Sequence, residues 1–235
     1  MVTPWHWQQY QRPSHTIKVP KSPTALPPEA VPAWVHPRGR AYLKERGLTK
    51  DESERYDLHF CDGGVWSQRL IIPMYVNDIL VAFQGRDVTG TDPGRYRTEG
   101  PRPIYCPVQP DTHAPGPLVI VEGPFDAFAV LRTYTAVATL GIYPSSAQIE
   151  TLIQLVSAYH IPVTYVWFDN TATGEACALQ LQLTPHIPTF VIVDEQQKDP
   201  GEYLCHTPAN ALGDVISRQG FHQPPQPNHH IRPTR

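Results

Sequence analysis

The sequence predicts an α/β protein in two parts: an α+β first half, then a mostly parallel sheet with flanking helices. Two observations carry the second half. Apolar runs recur at 118–121 (LVIV), 163–169 (VTYVWFD) and 189–194 (TFVIVD), the pattern of strands buried on both faces. Stretches of helical spacing lie between them, and such alternation implies parallel pairing with right-handed crossovers. The third observation separates the halves. Ahead of a proline-rich connector at 107–117, the apolar runs flank short turns, as antiparallel hairpins do.

Taken in order, residues 1–37 have prolines at 20, 23, 27, 28, 32 and 37 and no sustained periodicity, which predicts an extended, weakly structured arm. RGRAYLKERGL, from Arg38, reads as a short basic helix closed by Gly47. DLHFC at 57–61 reads as a strand and DGG at 62–64 as a turn. RLIIPMY (69–75) and ILVAFQGRDV (79–88) read as paired strands around Asn77-Asp78. A polar stretch with Arg95, Arg97 and Arg102 closes this first subdomain, 38–106.

Beyond the connector, Pro124 stands where a helix can begin, and Phe125, Phe128, Ala129 and Leu131 follow at helical spacing. AVATL at 136–140 reads as a short strand. SSAQIETLIQLVSAY reads as an amphipathic helix capped by Ser145 or Ser146, and ATGEACALQLQL as the helix after the 163–169 strand. The second domain spans 118–206. Residues 207–235 are expected to hold a last helix, 207–219, and a disordered tail from Gly220.

Composition narrows the function classes. The chain has 235 residues and a net charge of −3, against a generally basic coat for nucleic acid but compatible with a local basic groove. The cysteines at 61, 106, 177 and 205 are too scattered for a zinc ribbon or a dense disulfide scaffold, so no zinc is expected. A reduced, cytoplasmic setting is the simplest inference, the host cytoplasm for a viral chain. No run is long enough to span a bilayer. HExxH, Walker and GxSxG motifs are absent.

Three acids share one pattern. Glu122 follows the strand at 118–121, Asp169 ends the strand at 163–168, and Asp199 follows the strand at 189–193. If these strands are parallel, all three reach the same carboxyl edge, where open sheets bind ligands. Converging carboxylates hold hard cations such as Mg²⁺ or Mn²⁺ and support phosphoryl chemistry. Asp126 falls in the first turn of the next helix. The plain alternative for Asp126 and its neighbours is a capping acid beside a turn glycine, and for each arginine a solvated surface.

VEGPFDAFAV, AVATLG, WFDNTATGEACAL and KDPGEYL, in that order, resemble the Toprim domain of bacterial-type DNA primases, with its VEGYxD, FDGDxAG and DPDE-like motifs. Upstream, YLKERGL, RLIIPMY, FQGRDV and GRYRTEGPRPIY are similar to the family's YLxxRGL, FPI, GFGGR and PKY stretches. The resemblance covers roughly residues 38–206, a primase RNA polymerase core of phage or plasmid type. It implies a Toprim-like sheet and synthesis of short RNA primers on single-stranded DNA from ribonucleoside triphosphates, an enzyme requiring Mg²⁺ or Mn²⁺. Glu122 and Asp169 then stand as catalytic acids, Asp126 as an additional catalytic or metal group, and Glu122, Asp169 and Asp199 as metal ligands. Arg86, Arg95, Arg97 and Arg102 are the nucleotide- or template-binding candidates, and Arg86, Arg95 and Arg97 are expected to line one groove facing the acids. A replicative helicase or a separate zinc-binding protein is an implied partner.

This sequence departs from the pattern: the AG of FDGDxAG survives only loosely, as Thr173-Gly174, and two acids are missing. Thr171 replaces the second aspartate of Asp-x-Asp, and Gly201 replaces the second acid of DPDE. Fewer carboxylates leave a second reading open: a degenerate, non-catalytic Toprim module that binds single-stranded nucleic acid or a replication partner.

Overall fold

The structure, a computed structural model, describes residues 24–111, 113, 116–193, 200 and 201. Arm residues 1–23, Asp199, and the expected helix and tail at 207–235 lie outside the described residues. The chain is α/β: an antiparallel five-stranded sheet precedes a parallel four-stranded sheet flanked by helices.

The first sheet runs in sequence order, β1 (Val31–Pro32), β2 (His59–Cys61), β3 (Arg69–Val76), β4 (Ile79–Asp87) and β5 (Tyr96–Glu99), every pair antiparallel. Asn77 and Asp78 turn β3 into β4 with φ of 52° and 62°, the left-handed pair that a two-residue hairpin loop requires. Helix α1 (Pro37–Glu45) begins on its proline, and Gly47 at φ +72° closes it. Helix α2 (Lys50–Arg55) was not expected, because KDESER has no apolar residue to set a period. A reciprocal cap nucleates it: Glu52 N donates to the Thr49 hydroxyl, and Thr49 N to the Glu52 carboxylate.

The arm read as weakly structured is, from Thr24 onward, docked on this sheet. Thr24 bonds Leu80 and Val81 through its backbone and hydroxyl, Ala33 is fully buried, and β1 pairs with β2. Leu26 and Ala30 pack with Cys61, Ile71 and Phe83. The stretch is not simply extended: turns at Pro27 and Pro32, closed by bonds from Ala30 N and Val35 N to their carbonyls, fold it along the sheet, and Pro27 and Ala33 are buried.

In the second half the order of elements is β6 (Leu118–Val121), α3 (Pro124–Val130), β7 (Thr135–Ala138), α4 (Ser146–Ala158), β8 (Thr164–Trp167), α5 (Thr173–Leu183) and β9 (Thr189–Val191). The sheet runs β7-β6-β8-β9, all parallel. Ser145 is the cap of α4, exchanging bonds with Gln148. Alternate residues of β6 serve opposite faces. Val119 and Val121 join the core under α3, and Leu118 and Ile120 join the core under α4 and α5.

The two halves share the first of these cores. Leu43, Phe60, Leu70 and Tyr56 from the antiparallel half meet Phe125 and Phe128 of α3, with Tyr56 stacked on Phe128 at 4.4 Å. Tyr105, just upstream of the connector, exchanges two 2.9 Å backbone bonds with Ala138 of β7. Arg132, after α3, donates to both Glu52 oxygens at 2.7 and 3.0 Å and to the Gly47 carbonyl at 2.6 Å.

This clamp makes a prediction with a pH signature. Burial acts to raise the Glu52 pKa, but bonds from Arg132 and the Thr49 N–H outweigh it and hold the carboxyl below its ordinary 4.5. A depressed carboxyl contributes stability above its unfolded value and loses it as pH falls through the folded value. Arg132→Met is expected to cost about 2 kcal/mol at neutral pH. In urea melts the gap between parent and variant should narrow as pH falls below the ordinary carboxyl value of 4.5 and Glu52 protonates.

Candidate functional site

The sheet order places a switch point between β6 and β8. From β6 the chain crosses by α3 to β7 on one side, then returns by α4 to β8 on the other. Helices leave the two neighbouring strands toward opposite faces, the arrangement at whose carboxyl ends open sheets bind ligands. The strands are in register there, Val121 opposite Trp167. Glu122 is the next residue after β6, and Asp169 the second after β8, so both stand at that edge, half-buried.

The loop leaving β7 fixes the Glu122 backbone. The Glu122 carbonyl accepts from Leu140 N at 2.9 Å and Gly141 N at 3.3 Å. The Thr139 hydroxyl donates to the Val121 and Gly141 carbonyls at 3.2 and 2.8 Å. Leu140 takes φ +61° to make this turn. Across β6, the Asp169 carbonyl accepts from Ala172 N at 2.7 Å and opens a 3-10 turn, Asn170–Ala172, that leads into α5. Thr171, where the resemblance would have an acid, is exposed on that turn.

Asp126 is a positioning group. One carboxylate oxygen accepts from Gly123 N at 2.9 Å, the return half of a capping box at the start of α3. The other accepts from Gly201 N at 3.0 Å. Asp126 therefore ties the loop after Glu122 to the Pro200-Gly201 dipeptide. Asp199 itself lies outside the described residues, so its place as a third acid is not part of this geometry.

The arginines divide. Arg86 stands opposite Tyr96 and Leu70, on the sheet face toward α3. Its guanidinium lies 4.6 Å over the Tyr96 ring, and its Nε donates to the Tyr42 hydroxyl at 3.2 Å. Tyr42 meets Phe125 edge-on at 6.1 Å. Arg97 stands opposite Gly85, and successive strand residues face opposite ways, so it lies on the other face. There it pairs with Asp92, which also pairs with the buried Arg69. Arg95 is exposed in the β4–β5 loop, and its carbonyl accepts from Asp87 N at 2.9 Å. Arg102 is exposed beyond β5. A single groove holding Arg86 and Arg97 together is thus excluded by the pleat.

Two further residues join Arg86. Arg46 places its guanidinium 4.8 Å over Phe125, and among the described residues its buried Nε has no hydrogen-bond partner. Tyr96, half-exposed, supplies the ring under Arg86. Arg46 sits inside YLKERGL, the basic helix legible in the sequence, but only the packing of α1 on α3 shows that it reaches this side.

No group of three or more histidine, cysteine or acidic side chains able to hold a metal ion is present among the described residues. The described carboxylates at the edge, Glu122 and Asp169, make a two-acid set, with Asp126 engaged by backbone donors. A two-acid set fits Mg²⁺, which keeps several waters and completes its shell with substrate phosphates, better than a cation needing an all-protein cage. No described helix is long and apolar enough to cross a membrane. Neither a scan against protein-family models nor a search of curated proteins finds a match for the chain.

Asp126→Ala should release two backbone donors at once. The expected cost is about 2 kcal/mol, with faster amide hydrogen exchange at Gly123 and Gly201. Unchanged protection at both amides would reject the tether.

Proposed function

We propose that the chain is a primase-like nucleotidyltransferase, adding ribonucleotides on a single-stranded DNA template with Mg²⁺ or Mn²⁺. The feature that carries this reading is the position of Glu122 and Asp169 just beyond the in-register ends of β6 and β8, in motifs that resemble those of a Toprim domain. Glu122 and Asp169 would hold the ion, whose chemistry is to neutralise phosphate charge and acidify the primer 3′-hydroxyl. Arg46 and Arg86 lie beside α3, where permanently charged, planar guanidiniums suit phosphate oxygens. Arg95 adds an exposed cation for the template backbone. Asp126 holds the Glu122 loop in place. A cytoplasmic setting and a helicase or zinc-binding partner on another chain belong to the same proposal.

A second reading, a non-catalytic Toprim module that binds nucleic acid, draws on one observation. Gly201 has no side-chain carboxylate where the resemblance would have one, and only its backbone N–H reaches Asp126. With Thr171 also neutral, the site has less negative charge for a cation.

Incubation with single-stranded DNA, ribonucleotides and Mg²⁺ or Mn²⁺ separates the two. Oligoribonucleotide products that fall at least about hundredfold in Glu122→Gln support the enzyme. Binding of the strand without products supports the module.

Thr171→Asp tests the charge argument. Each added charge near a cation is worth on the order of a few kcal/mol before desolvation. The variant should bind Mn²⁺ at least about tenfold tighter in the free protein and raise nucleotide addition. No gain in metal affinity would remove Thr171 from the site. Tight metal binding without product would favour the non-catalytic module.

A further inference from the structure

At the carboxyl edge, beside the acids, the structure presents one large exposed aromatic that the reading above does not use. Tyr143 is 78% exposed and lies in the connection from β7 to α4. Isolated exposed apolar residues are ordinary and need no explanation. Three features separate Tyr143 from that background.

The first is its backbone. Gly141 is bonded to the Glu122 carbonyl, Ile142 packs against the core under α4 and α5, and Pro144 restricts Tyr143 to extended geometry. Ser145 then caps α4, so both sides of the tyrosine are anchored. The second is its hydroxyl, which donates to the Glu175 carboxylate at 3.0 Å. Glu175 is in the first turn of α5, directly after the segment that carries Asp169 and Thr171. The third is position. The bond joins the connections that leave β7 and β8, the two strands flanking β6 and Glu122. A ring held at its polar end and left open on its faces costs little entropy to use.

We propose that Tyr143 is a stacking platform for a nucleobase bound at this edge. The inference rests on the proposed function and specifies where that site takes the base, as distinct from the phosphates. The base can come from the single strand or from a free nucleotide, and both offer the same π-face. Stacking on an aromatic side chain tolerates any base, so the platform adds affinity without sequence preference.

The test uses the full chain and four probes: oligothymidylate, an abasic strand of equal length and charge, a ribonucleoside triphosphate, and inorganic triphosphate. Tyr143→Ala should weaken oligothymidylate or nucleotide binding by about tenfold or more, and leave the abasic strand and inorganic triphosphate unchanged. The arm that weakens identifies the source of the base. The salt dependence of strand binding should not change, because no phosphate contact is lost. Tyr143→Trp should restore affinity, and Tyr143→Phe should retain most of it, since the ring survives without the Glu175 bond. Undiminished binding of both base-bearing probes by Tyr143→Ala overturns the platform, as does an equal loss on the baseless probes. If the parent binds neither strand nor nucleotide, the proposed function itself fails and the platform with it.

Discussion

The structure depends on the burial of strand β6 on both faces. Its four residues, Leu118 to Val121, have no solvent exposure and are paired on both sides by parallel strands. A four-residue strand with no polar side chain must place all its backbone groups in ladders and all its side chains in packed cores. It therefore lies at the sheet's centre, and the first residue free to be polar is the one that follows it. Glu122 takes that place. The half-exposed carboxylate is at the edge because the strand before it has nowhere else to go.

The same strand couples the two halves. The core that receives Val119 and Val121 also receives Leu43, Phe60 and Leu70 from the antiparallel half. Phe125 and Phe128 of α3 are the hinge pins of this contact, touched by Tyr42, Arg46, Tyr56 and Tyr105. The arginine-bearing face is thus registered to the acid-bearing edge by apolar packing, and ionic contact at Arg132–Glu52 adds direction. Association through a shared core is far less sensitive to salt than an interface of charges. Salt can then screen the surface charges without moving the two halves apart.

Much of this was legible in the sequence. The apolar runs at 118–121 and 163–167 identify parallel strands because burial on both faces leaves no alternation. Asn77-Asp78 identifies its hairpin because few residue pairs tolerate two left-handed conformations. Glu122 and Asp169 followed from strand ends alone. What stayed hidden is what depends on pairing and packing. The pleat puts Arg86 and Arg97 on opposite faces, and only the register of β4 with β5 reveals it. Helix α2 lacks an apolar stripe, and its sole signal is Thr49 three residues before Glu52. Arg46 and Tyr143 acquire meaning from neighbours distant in sequence, Phe125 and Glu175, that no local pattern names.

The two departures that remove an acid, Thr171 and Gly201, have different physical consequences. Thr171 is exposed on a short turn, so its side chain is replaceable at little structural cost. Gly201 is buried, and its N–H is committed to the carboxylate of Asp126. An acid there would put a second carboxylate beside Asp126 in a partly desolvated place, where like charges repel and one must protonate. The N–H that Asp126 accepts is a backbone donor that any residue but proline supplies, so glycine removes only the side-chain charge and keeps the bond. Negative charge at this edge can therefore be restored at exposed Thr171 at little structural cost, whereas at buried Gly201 it would stand beside the Asp126 carboxylate.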